Sequence, residues 1–345
     1  MFPIKLFLPL ILLIIGFKCS QCLKLTNTEL DTYWKSYKAQ HGKRFTFDAD
    51  DYFRKHAFGM NLNKILEHNT HADLGLKGYK LKLNKFADQT TGEMIKRRTG
   101  LSSTKLQSAS LKIYKPKSSM SKVNVVNSSE FTFDWRSYGI VNKPIDQGEC
   151  GACWAFAAAA AIEGQWALAT GQLVNSSVQQ LIDCSWSTGN EGCAGGNMLG
   201  AFLYLGEEKF VNGQDYPYLG KDYVCLDGKI KSKYGKVKSI GFIDSLNETQ
   251  LALAVREIGP ITVAIDAGSP YLMFYWEGIY DDPDCTTAVN HAVTIVGYGT
   301  DSNGQDYWIV KNSWGSDWGD NGYIKMRRGV NLCGIAESPI YAILS

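Results

Sequence analysis

Histidine is scarce in this chain. There are five in 345 residues, and His41, His56, His68 and His71 all precede residue 72. Only His291 remains beyond them, which excludes a histidine-rich metal centre in the C-terminal two-thirds. Cys285, His291 and Cys333 also lack the paired spacing of a zinc site. Long apolar runs are equally few. Leu6 to Phe17 is too short to span a bilayer, and the alanine-rich stretch after Trp154 carries Glu163 and Gln165, so no membrane span is expected. Basic residues form no dense run, which argues against a nucleic-acid partner. There is no internal repeat, and nothing calls for a cofactor or a metal.

The short apolar run has another reading. Lys5 precedes it and small residues follow at Cys19, Ser20 and Cys22. Residues 1–22 therefore read as a secretory signal peptide, with cleavage expected after Cys22 and Ser20 as the alternative. The address is the secretory pathway, ending in a lysosome or outside the cell. Of nine cysteines, two lie in that leader and seven remain: 150, 153, 184, 193, 225, 285 and 333. Seven is odd, so in an oxidising compartment six pair and one stays a free, candidate reactive thiol. Sequons at Asn127, Asn175 and Asn247 agree with secretion.

The net charge of +2 conceals a division. From residue 127 onward there are 14 basic and 25 acidic side chains, a net −11, and residues 1–126 carry +13. A basic N-terminal module bound to an acidic C-terminal one is expected, with two solvated surfaces as the alternative. Leu30, Trp34 and Tyr37 predict an amphipathic helix over 27–40. A longer one over 48–69 aligns Asp50, Arg54, Phe58, Asn61, Ile65 and Asn69 on one face. Residues 81–86 alternate like a strand, and the Ser- and Lys-rich stretch from 101 reads as an exposed linker. Beyond it a helix-rich half precedes a strand-rich half, an α+β arrangement.

The free thiol has a natural address. In Gln147-Gly-Glu-Cys-Gly-Ala-Cys153-Trp-Ala-Phe156 a glycine-rich turn becomes a helix at Cys153, where the helix dipole favours a thiolate. A cysteine nucleophile needs a base and a group that orients the base. His291 is the one imidazole left in that half. Asn312, with Trp314 and Trp318 close behind, is a candidate to accept the imidazole N–H and screen it from water; a tryptophan cap on a β core explains that stretch equally well.

Cys150-Gly-Ala-Cys153-Trp154, followed by His291 and Asn312, resembles the signature of papain-like cysteine proteases, and within them the cathepsin L-like branch. The stripe at 50–69 is similar to the ERFNIN propeptide pattern, with Asp50 in place of Glu. Asn84, Phe86 and Asp88 are similar to the adjoining G-x-N-x-F-x-D pattern, with Lys82 in place of Gly. The resemblance implies a papain-like two-lobed fold, with a helical left lobe and a β-barrel-like right lobe either side of the active-site cleft. It divides the chain into a signal peptide (1–22), an inhibitory propeptide (23–126, linker 101–126) and a mature peptidase domain (127–345).

It further implies Cys153 as nucleophile, His291 as base, Asn312 as its orienting group, Trp314 as shield and Gln147 as oxyanion-hole donor. The pocket for the second residue before the scissile bond would involve Asn197, Met198, Ala264, Val289 and Ser338, and so prefer a hydrophobic side chain. Six cysteines allow 15 pairings; the resemblance implies Cys150–Cys193, Cys184–Cys225 and Cys285–Cys333. The implied partners are protein and peptide substrates, the chain's own propeptide as inhibitor, and cystatin-type inhibitors of a monomeric enzyme. With no insertion resembling an occluding loop, an endopeptidase is expected, made as an acid-activated zymogen with Asp88 as one candidate trigger. Two rivals stay open: an inactive homologue that only binds peptides or inhibitors, and a CxxC disulfide oxidoreductase, whose usual βαβ context is not evident.

Overall fold

The computed structural model describes residues 25–102, 112–113, 115 and 132–345. The signal peptide, the start expected at 127, the Asn127 sequon and most of the linker lie outside the described residues. The chain divides into two units, residues 1–90 and 91–345.

In the first unit, α1 (Asn27–Gln40) starts at a capping box, in which Thr26 Oγ1 accepts from the Glu29 N–H and the Thr26 N–H donates to the Glu29 carboxylate. Helix α2 (Asp48–Asp73) runs four residues past the expected end. Trp34 and Tyr37 pack on Phe58 from the stripe. The stripe's amides hold the following backbone: Asn61 donates to the Ala87 and Gln89 carbonyls, and Asn69 exchanges two bonds with Leu81. The strand expected over 81–86 is instead β1 (Tyr79–Leu81). Asn84 accepts from the Phe86 N–H and starts a turn, which ends the alternation. Asp88 is buried and accepts from the Tyr37 hydroxyl and Lys43 Nζ, both at 2.8 Å.

The second unit opens with α3 (Thr91–Arg98), β2 (Lys112–Ile113) and β3 (Phe133–Asp134). Three helices follow: α4 (Cys153–Thr170), α5 (Val178–Cys184) and α6 (Met198–Glu207). Helix α4 buries 13 of its 18 residues, so it is a core helix rather than an amphipathic surface one. It stops at Gly171, in the left-handed conformation at φ 74°. Ser177 and Asn197 cap α5 and α6 through their side-chain oxygens.

The strand-rich half contains β4 (Val237–Phe242), α7 (Glu248–Ile258), β5 (Ile261–Ile265), α8 (Pro270–Met273), β6 (Tyr275–Tyr280), β7 (His291–Thr300), β8 (Asp306–Lys311), β9 (Tyr323–Arg327) and β10 (Ile340–Leu344). Its sheet runs β6-β9-β8-β7-β5-β10-β4-β2, with β3 on β7. The two-lobed α+β layout stands, but the sheet is open rather than a barrel. Closure would require β4 to turn toward β6. Instead β4 pairs with β10, lies against α6 and carries β2 on its outer edge.

Three disulfides, Cys150–Cys193, Cys184–Cys225 and Cys285–Cys333, close segments with separations of 43, 41 and 48. Loops of that length restrict the unfolded chain by about 4 kcal/mol each. Among the described residues Cys153 is the free cysteine. Between α4 and β8, buried Glu163 accepts from the Ser176 N–H at 3.0 Å and faces Lys311 Nζ at 3.8 Å. Burial raises the carboxyl pKa and lowers that of the amine, and each partner opposes the shift of the other. Glu163→Ala leaves the Lys311 ammonium and an amide without this partner. It should lower unfolding stability by about 3–5 kcal/mol, read from the denaturant midpoint at constant m-value.

Candidate active site

The sequence feeds a thiol into the boundary between helices and sheet. Gly148, at φ 62°, allows the turn that delivers Gln147 and Cys150 to the start of α4. The helix then packs against β7, where Thr294 Oγ1 donates to the Ala157 carbonyl at 3.2 Å. Cys153 is fully buried beside Ala292, the residue after His291.

His291 is fully buried at the start of β7, and its Nε2 lies 2.8 Å from Asn312 Oδ1. The same Oδ1 accepts from the Ser313 N–H at 2.7 Å. A backbone N–H only donates, so the Asn312 atom facing it is the oxygen. Nε2 must then carry the proton, and Nδ1 is left with a lone pair. That Nδ1 is buried without a hydrogen-bond partner. The ring of Trp314 covers the imidazole at 4.9 Å between centroids, and Trp318 meets Trp314 edge-on at 5.1 Å.

Gln147 is also fully buried. Its Nε2 donates to the Cys150 carbonyl at 2.8 Å, and its Oε1 accepts from the Ser313 hydroxyl at 2.6 Å. The Gln147 backbone N–H donates to the Ser313 carbonyl, and the Gln147 carbonyl accepts from the Tyr218 hydroxyl. An amide carries two N–H groups, and the Cys150 bond uses one of them. Asn197, Met198, Ala264, Val289 and Ser338 come together in one pocket of about 240 Å³. Leu199, Phe242 and Ile340 complete its wall. They arrive from distant elements, and no local signal marked them. Ser313, adjacent to Asn312, was within reach of sequence reasoning; Tyr218 had no signal. Asn175 and Asn247 are exposed, and Asn247 caps α7 through Oδ1, which leaves its Nδ2 for a glycan.

The stretch from residue 101 does not begin as an exposed linker. Leu101 and Ser102 are half-buried, and the backbone at 100–102 bonds to Gly196 and Asn290 in the cleft. The bridge from Leu101 to Gly196 is parallel. Gly100 crosses directly over Gly151: a Cβ there would sit 2.0 Å from the Gly151 carbonyl oxygen. Its N–H faces the Cys153 sulfur together with those of Ala292 and Trp154.

Desolvation sets the direction of both shifts in the pair. Burial pushes the Cys153 thiol up to about 11, against the lowering by the surrounding N–H groups. Burial also pushes His291 down to about 4, against its bond to Asn312. Desolvation thus opposes the thiolate that the helix dipole favours.

Residues 130–343 match the family described as papain family cysteine protease, and residues 34–94 match the cathepsin propeptide inhibitor domain. A cathepsin L-like peptidase of Aedes aegypti is 38% identical over 318 residues, 90% of this chain and 92% of its own length. Cathepsin L of Sarcophaga peregrina is 39% identical, over 89% and 91%. The structure of digestive procathepsin L 3 from Tenebrio molitor larval midgut aligns with a TM-score of 0.79 at 36% identity, covering 91% of this chain and 99% of that one. The recombinant stem bromelain precursor aligns at 0.80 and 33%, covering 91% and 98%.

With the thiol near 11, alkylation of Cys153 in the intact chain should be at least about tenfold slower at pH 7–8 than that of an exposed cysteine, and should accelerate only toward pH 11. Iodoacetamide labelling read by peptide mass checks this. Rapid labelling of the uncleaved chain near neutrality contradicts it.

Proposed function

Because the chain belongs to the papain family of cysteine proteases, and is a cysteine endopeptidase made as a proenzyme with its own propeptide as inhibitor, we propose that Cys153 is its nucleophile and His291 its base. The observation that carries this reading is the Asn312 oxygen fixed on Nε2, with Nδ1 buried and unpartnered. Nδ1 takes the thiol proton, giving an imidazolium beside a thiolate. The thiolate attacks the peptide carbonyl. Gln147 Nε2 and the Cys153 N–H donate to the tetrahedral oxygen. The imidazolium protonates the leaving amine, and water then hydrolyses the thioester with His291 again as base. Asn312 orients the ring and Trp314 keeps water from its bond.

The pocket at Met198 and Ala264 takes a hydrophobic P2 side chain, since Val289, Leu199, Phe242 and Ile340 supply most of its wall. Maturation removes the signal peptide and residues 23–126, and leaves 127–345 as a monomeric peptidase that cystatin-type inhibitors block. The leader-like N-terminus and the disulfides favour a secretory route to a lysosome or the exterior. Among the described residues no helix is long and apolar enough to cross a membrane.

Release is driven by acid. Protonating carboxylates weakens the attraction between basic and acidic segments, and buried Asp88, with Lys43 on it, is the proposed trigger. Processing should therefore be several-fold faster at about pH 4 than at about pH 7, with Asp88→Asn flattening the difference; equal rates on a gel would count against it.

Variants test the catalytic roles. Cys153→Ser and His291→Ala should abolish peptide hydrolysis and labelling by a peptidyl epoxide, and Gln147→Ala should lower kcat by about 10²-fold. A wild-type processed chain that no thiol-directed inhibitor labels at Cys153 would leave the inactive-homologue reading in its place.

A further inference from the structure

The stretch of pro-segment that covers the thiol also touches the cleft on either side of it. At one end Leu101 and Ser102 border the pocket formed by Met198, Ala264 and Val289. In the middle Gly100 faces the Cys153 sulfur. At the other end two arginines at the C-terminus of α3 lie on two carboxylates. Arg98 Nη1 donates to Asp146 Oδ1 at 2.8 Å, and Arg97 Nη1 donates to Glu149 Oε1 at 2.6 Å. The Arg98 side chain keeps only 8% of its surface exposed, so this is a seated group rather than a loose surface pair.

The two carboxylates bracket Gln147 and Gly148 in sequence, and their scaffold is fixed. Asp146 Oδ1 also accepts from the Gly148 N–H at 2.9 Å, and its backbone bridges to Trp314. The anionic pair therefore stands on the rigid loop that carries Gln147, on the side of the thiol away from the apolar pocket. The arginines act as a built-in ligand for it.

We propose that Asp146 and Glu149 form an anionic subsite for the leaving-group half of the substrate, selecting Lys or Arg at the second and third positions after the scissile bond. This rests on the catalytic and P2 assignments made above. If the apolar pocket takes the P2 side chain, the acyl half of a substrate lies where residues 101–102 lie now. The leaving half then lies where residues 97–98 lie. Its direction is opposite to that of the pro-segment, whose bridge to Gly196 is parallel. Arg98 is two positions from Gly100, over the thiol, and Arg97 three, both at the end of a helix. The carboxylates are thus placed within the first few leaving-side residues, and the second and third are the positions assigned. Once processing removes the pro-segment, Asp146 and Glu149 lose their guanidinium partners, and a cationic substrate side chain replaces them. Its attraction is screened by salt.

The test uses the processed enzyme and internally quenched peptides with one common acyl half bearing Leu at P2. The second and third leaving-side residues are Lys-Lys, Ala-Ala or Glu-Glu. The Lys-Lys peptide should exceed Ala-Ala in kcat/KM by about three- to tenfold, with Glu-Glu below both, and the spread should shrink at high salt. Ratios are read within one enzyme, so a general loss of rate does not enter. In Asp146→Asn/Glu149→Gln, which keeps an acceptor for the Gly148 N–H, the ratio should fall to about one; in Asp146→Asn/Glu149→Lys, which leaves a net cation, it should invert. Equal rates in the unaltered enzyme, or a preference that survives in the double variant, overturn the proposal. If no peptide is cleaved, the catalytic reading fails. If replacing Leu by Glu at P2 changes nothing, the pocket assignment that sets the orientation fails.

Discussion

Everything at the cleft depends on how closely α4 approaches β7. An alanine-rich helix comes close enough for the Ala157 carbonyl to accept from Thr294, and that contact sets the thiol beside the backbone of Ala292. From Ala157 to Ala161 the helix carries only methyl side chains, so nothing large holds the sheet away over that stretch. Trp154, the large residue in the first turn, is turned into the helical lobe, where its Nε1–H donates to the Gly192 carbonyl. The same closeness makes the boundary dry. Dryness holds the thiol and the imidazole neutral, and it strengthens the Asn312 bond that fixes the tautomer.

Ser313 links the two halves of the chemistry. Its N–H fixes the Asn312 oxygen, and its hydroxyl and carbonyl hold Gln147 from the opposite lobe. The orientations of His291 and Gln147, the proposed base and oxyanion donor, are thus referred to one residue. A small displacement between the lobes would disturb both together, and the buried Glu163–Lys311 pair and the β7 contact oppose such a displacement. The disulfides act within the lobes, where they limit the freedom of the loops that carry Cys150 and Cys333.

Much of this was legible in the residues. The odd cysteine count and the single late histidine isolate the reactive pair, because they leave few alternatives. The helices at 27–40 and 48–73 are visible because their period is long and uninterrupted. The stripe on the second helix was read from apolar and polar positions alike, and its asparagines proved to be backbone clamps for residues 79–89. Other features left no local trace. The pocket wall from Leu199, Phe242 and Ile340 is assembled from an α-helix and two strands far apart in sequence. The alternation over 81–86 misled because Asn84 bends the chain with its own side chain. The path of residues 97–102 through the cleft was hidden in a stretch whose composition reads as linker. The charge division was visible as a sum, but only the fold reduces it to particular pairs such as Arg98 with Asp146.

One feature of that path has a wider meaning. Gly100 passes over Gly151 with no room for a β-carbon. The inhibitor therefore offers Cys153 bare backbone, laid in the direction opposite to that inferred for a substrate. Any residue other than glycine at position 100 would have to push the strand away from Gly151 before it could lie there, so the closeness of the cover is written into a single position.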